Sequence, residues 1–94
     1  MSKKFDGVPA DEGTKILFRL EAKLGKFEVL YEQWYWEGIL AESIIFANDD
    51  ILGMTDEEIV QEVQKSTLVK NGSEMKIRRS DAGFTFVNFN FQLQ

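Results

Sequence analysis

Glu42 is the residue whose setting most invites acid–base chemistry. A hairpin register built around Glu37-Gly38 places it opposite Gln33, between Tyr31 and Tyr35, where a carboxyl shut away from water would hold its proton to higher pH. A carboxylate enzyme of the glycosidase type needs two acids of different affinity for protons, and no second acid is tied to Glu42 by spacing. The other common chemistries lack their parts. The 94 residues contain no histidine and no cysteine, which removes the usual base, the strongest nucleophile and the commonest zinc ligands. Ser43, Ser66, Ser73 and Ser80 have no histidine to activate them. Asn48-Asp49-Asp50 with Gly53 starts like a calcium loop, but the fifth and twelfth positions are Leu52 and Ile59, which offer no side-chain oxygen. The seven glycines stand singly and build no phosphate-cradling loop. These absences point to a chain without cofactor or metal.

Two constellations suit binding better than catalysis. Trp34 and Trp36 lie two apart on a strand, so both rings fall on one face beside Ile39, and aromatic anchors of this kind dominate protein interfaces. In a small domain the same residues also serve as ordinary core. Lys76, Arg78, Phe84 and Phe86 alternate cations with rings on another hairpin, the composition of a single-stranded nucleic-acid surface. The net charge of −5 argues against wholesale phosphate binding. Charge is also unevenly spread: Asp49, Asp50, Asp56, Glu57, Glu58 and Glu62 fall in a stretch without a cation, whereas Lys65 to Arg79 holds five cations against Glu74. An acidic face of this kind can steer a partner with a basic surface.

The elements that must position these residues can be read in order. Residues 1–14, with Gly7, Pro9 and Gly13, read as a flexible or loosely docked arm that Phe5 and Val8 could tack down. From Lys15 to Leu24, Ile16, Phe18 and Leu20 alternate with Leu17, Arg19 and Glu21 as a strand does. A helix through Ile16, Leu17, Leu20 and Leu24 closed by Gly25 competes. Around Glu37-Gly38 the register sets Tyr35 against Leu40, Tyr31 against Ile44 and Val29 against Phe46 on one face. Trp36 meets Ile39, Trp34 meets Ala41 and Leu30 meets Ile45 on the other. Both faces are apolar near the turn, so each needs a cover.

Thr55 begins the one clear helix, with Glu58 completing a capping box and Met54 stapled to Ile59. Asn71-Gly72 predicts a hairpin joining 67–70 to 73–79, and Asp81-Ala82-Gly83 predicts a three-residue loop that sets Ile77 against Val87 and Arg78 against Phe86. The expected fold is α+β: an arm over 1–14, then one domain over 15–94. That domain has an antiparallel sheet of five or six strands in the order β-β-β-α-β-β-β, with the short helix on one face.

The expected function is a small acidic, non-enzymatic protein-binding module of the inhibitor or accessory kind found in bacteria and phages. It would bind through Trp34, Trp36 and Ile39, steered by Asp49, Asp50, Glu57, Glu58 and Glu62, or would self-associate as a homodimer. The alternatives are single-stranded nucleic acid on Lys76, Arg78, Phe84 and Phe86, and a carboxylate enzyme at Glu42. No signal peptide or membrane-length apolar run is visible, which suggests the cytoplasm.

Overall fold

The computed structural model describes residues 3–94. Its framework is the hairpin of β2 (Phe27–Trp36) and β3 (Ile39–Ala47). Glu37 and Gly38 both adopt left-handed backbone angles, φ 44° and 81°, the conformation that matches a two-residue turn to the twist of its strands. The pairs Trp36–Ile39, Trp34–Ala41, Gln33–Glu42, Tyr31–Ile44 and Leu30–Ile45 form as the turn dictates.

Lys15–Leu24 is strand β1, antiparallel to β2. The competing helix loses because Gly25, at φ 58°, does not cap a helix. With Lys26 it makes a tight turn that lays Leu24 opposite Phe27 and zips the whole strand onto β2. A bulge between Ile16 and Phe18 breaks the simple alternation expected there: Ile16 pairs with Trp34, whereas Phe18 pairs with Gln33 on the other face.

Helix α1 (Asp56–Gln64) starts at Thr55 with both halves of the capping box made: the Glu58 N–H donates to Thr55 Oγ1, and the Thr55 N–H donates to Glu58 Oε1. After it come β4 (Lys76–Arg79) and β5 (Phe84–Leu93), joined by the three-residue loop ending in Gly83 and paired Ile77–Val87 and Arg78–Phe86 as expected. All neighbours are antiparallel, and the sheet order is β1-β2-β3-β5-β4.

The sheet has five strands, and the strand expected at 67–70 is absent, so the order is β-β-β-α-β-β. Asn71-Gly72 does turn the chain, with the Ser73 N–H donating to the Lys70 carbonyl. The preceding residues pair with a side chain instead of a strand. Asn90, in a left-handed conformation (φ 54°) at a bulge where Asn90 and Phe91 together oppose Ala41, accepts from the Lys70 N–H and donates to the Leu68 carbonyl.

Each sheet face has its own cover. On one, Ile59 and Val63 of α1, with Ile51, close over Val29, Tyr31, Ile44, Phe46, Val87 and Phe89. On the other, Leu30, Ile45, Phe84 and Phe86 are covered by Phe5 and Val8, the residues expected to tack the arm down. Burying the Phe5 ring contributes roughly 2–3 kcal/mol, which offsets the lost backbone freedom of only about two residues, so the arm also depends on Val8 and on its hydrogen bonds to Arg19. Among the described residues no helix is long and apolar enough to cross a membrane.

Candidate protein-docking surface

The two tryptophans point to the same face and do different work. Trp34 is half-buried: its Nε1–H donates to Ser43 Oγ at 2.7 Å, Ser43 donates on to Asn88 Oδ1, and the indole meets Phe91 edge-on. It is a structural residue. Trp36 is 39% exposed at the end of β2, with Ile39 opposite it and Leu93, 86% exposed, opposite Ile39 on β5. Gly13 of the arm runs alongside the Trp36 ring.

Other exposed large apolar residues lie near this corner, but Tyr35, Phe18 and Leu20 sit on the opposite, helix-covered face of the sheet. Leu17 lies at the β1 bulge, and Leu52 and Leu68 lie elsewhere. β1 is also an edge strand, paired only through β2.

The acidic residues do not join this surface. Asp49 and Asp50 sit in the short 3₁₀ turn Asn48–Ile51 beyond the far end of β3, a strand of nine residues that spans about 27 Å from Ile39. Much of their charge is spent locally. Asp50 pairs with Lys4, Asp56 with Arg79 and Glu62 with Lys65, while Glu58 is committed to the helix cap, which pulls its pKa below the ordinary value; Glu57 is exposed on the first turn of α1. The docking and steering groups expected together therefore occupy opposite ends of the molecule.

The basic-aromatic group is brought together but closed. Phe84 and Phe86 are buried beneath the arm, with the Phe5 ring 6.2 Å from that of Phe84. Arg78 lies 4.3 Å over the Phe86 ring and pairs with Asp11 of the arm; Lys76 lies over Phe91. No open ring face remains on Phe84 or Phe86 for a base to stack on.

Glu42 is an anchor. Tyr31 Oη donates to its Oε1 at 2.6 Å and Asn90 Nδ2 to its Oε2 at 2.9 Å, while Gln33 donates to Tyr31 and not to Glu42 as the register had suggested. Burial, then the bond to Glu42, pushes the Tyr31 phenol up to about 12. The deeply buried acid is Glu32, 4% exposed, whose pKa burial raises although Arg19 Nε donates to it at 2.6 Å. Arg19 also donates to the Val8 and Pro9 carbonyls, tying the arm to β1 across a cleft of about 50 Å³ lined by Glu32, Trp34, Ser43 and Asn88. Sequence reasoning missed this pair. Its signal was available in the Arg19–Glu32 register, which follows once β1 is folded back through Gly25-Lys26. Among the described residues no three acidic side chains converge to hold a metal ion.

No family model, no curated protein and no solved structure matches this chain.

Proposed function

We propose that the chain is a non-enzymatic protein-binding module of the inhibitor or accessory kind, docking its partner on the apolar end of the sheet around Trp36, Ile39 and Leu93. The observation that carries this reading is the apolar corner made by Trp36, Ile39 and Leu93, neighbours across β2, β3 and β5 on one face of the sheet, with Trp36 39% and Leu93 86% exposed. Scattered apolar residues are normal on a protein surface, whereas a contiguous group marks a contact site. The acidic end near Asp49 and Glu57 lies outside the contact and acts on a basic partner at long range, so it affects the association rate and its salt dependence more than the contact itself.

The test is capture from a native-host lysate with three forms of the protein. Trp36→Ser with Leu93→Ser is expected to lose the partner that the unaltered chain retains. Leu52→Ser is the control, since Leu52 is 77% exposed but lies away from the apolar end. Equal capture by all three forms, with unchanged melting temperatures, would refute the assignment.

A further inference from the structure

We infer that the cleft in front of Glu42 seats a primary ammonium group, as carried by a lysine side chain of the docked partner. This rests on the protein-binding reading and names a second contact for it. The cleft, of about 140 Å³, is lined by Gln33, Leu40, Ala41, Glu42, Asn90 and Gln92. Leu40 pairs with Gln92 and Ile39 with Leu93, so the cleft on the helix-covered face lies directly behind the apolar corner, through the thickness of the sheet. A partner gripping that end of the sheet meets both.

Charge selects the occupant. Glu42 is the one charged side chain lining the cleft, and it forms no ion pair among the described residues. Its two oxygens offer about four acceptor sites. Neutral donors take one on each, Tyr31 Oη on Oε1 at 2.6 Å and Asn90 Nδ2 on Oε2 at 2.9 Å. Those bonds fix the carboxylate in place without neutralising it. The glutamines beside it add acceptors: Gln33 donates one N–H to Tyr31 and keeps its carbonyl oxygen free among the described residues, and the exposed Gln92 side chain is bonded to none of them. Asn90, whose amide also holds Leu68 and Lys70, serves as a wall.

This acceptor set suits an ammonium better than other cations. Three N–H donors diverge from one nitrogen, and Gln33, Glu42 and Gln92 approach from three different strands, β2, β3 and β5. A guanidinium binds best by forking onto both oxygens of one carboxylate, and here each oxygen already holds a donor. A calcium ion needs about six or more oxygen ligands, and no three acidic side chains converge among the described residues. Size narrows the choice further. A cavity of about 150 Å³ takes a molecule as small as benzene, so this cleft fits a head group and its last methylenes, not a whole sugar or nucleotide. Leu40 and Ala41 give those methylenes apolar contact.

The experiment titrates butylammonium chloride into the full chain at neutral pH and follows the side-chain amide signals of Gln33 and Gln92 by NMR, with sodium chloride at matched ionic strength and glucose as comparison arms. Saturable shifts at millimolar butylammonium, absent with sodium chloride and with glucose, are expected. Glu42→Gln should weaken binding on the order of tenfold or more, since it removes the charge. That change also touches the bonds to Tyr31 and Asn90, so Gln92→Lys is the second variant. Gln92 is exposed, and the new ammonium should occupy the cleft itself, abolishing the Gln33 shift at an unchanged melting temperature. No saturable shift, equal shifts from sodium chloride or glucose, or shifts that survive both variants would overturn the inference. Failure of butylammonium binding with Trp36-dependent capture intact would sink this inference alone, and the reverse result would sink the docking reading alone.

Discussion

Replacing Arg19 by methionine should cost about 3 kcal/mol at neutral pH, and the cost should fall away in acid. The substitution keeps an apolar stem over the sheet but removes the cation from Glu32, a carboxylate 4% exposed. Breaking a buried pair by deleting one partner typically costs about 3–5 kcal/mol. The Arg19 side chain is 24% exposed, which lowers the figure. Loss of the hydrogen bonds to the Val8 and Pro9 carbonyls, long at 3.2 and 3.3 Å, adds about 0.5 kcal/mol each.

The pH dependence follows from the direction of the Glu32 shift. Burial raises its folded pKa above the unfolded value, so between the two the folded chain binds more protons and stability falls as pH rises. Arg19 opposes that shift. Without it the folded pKa climbs further, so the variant's deficit is largest at neutral pH and shrinks as pH falls toward the ordinary glutamate range. Chemical denaturation followed by circular dichroism between those limits measures it. For a chain of this size about 3 kcal/mol corresponds to a melting temperature lower by roughly 12–24 °C. Adding Glu32→Gln to Arg19→Met should recover most of the neutral-pH loss. A deficit under about 1 kcal/mol, one that does not vary with pH, or a double variant no more stable than the single one would refute this account of the pair.

Two further predictions concern the two faces of the sheet. Phe5→Ala should destabilise the chain by about 3–4 kcal/mol in urea denaturation and expose dye-binding apolar surface, because the ring is buried against Phe84; a loss below about 1 kcal/mol would mean that the arm is not part of the fold. In ultraviolet absorbance titration Tyr31 should ionise only near pH 12, and Tyr31→Phe should remove that late step. Because the raised phenol pKa belongs to the folded state, stability should fall as pH rises from about 10 to 12; ionisation of every tyrosine near the ordinary value in the folded chain would contradict this.

Much of the fold was legible because it is specified locally. Glu37-Gly38 sets the β2–β3 register through backbone angles that only certain turns tolerate, and Thr55 with Glu58 starts α1 through bonds spanning three residues. What escaped was specified at a distance. The 67–70 segment has a turn signal beside it, yet its partner is the Asn90 side chain, twenty residues away, whose left-handed backbone nothing local announces. The Arg19–Glu32 pair becomes visible only after β1 has been docked on β2. For the same reason Glu42 was singled out and Glu32 was not: the hairpin alone shows which residues share a face with tyrosines, but not which face lies beneath the arm.

The arm connects the packing problem to the binding one. The β2–β3 hairpin is apolar on both faces, and a single helix can close only one, so residues 3–14 are recruited to close the other at Leu30, Ile45, Phe84 and Phe86. That cover is limited by the chain's own path. Phe5 and Val8 fill the middle of the face, Asp11 is held by Arg78, and Gly13 reaches Trp36 just before Lys15 begins β1. The arm therefore runs out of residues where the apolar end begins, and leads into the strand whose edge is open. Arg19 joins these parts physically, since one guanidinium holds the arm's carbonyls and the β2 carboxylate from β1. The exposed corner of Trp36, Ile39 and Leu93 is thus what the second cover leaves over on its own face of the sheet.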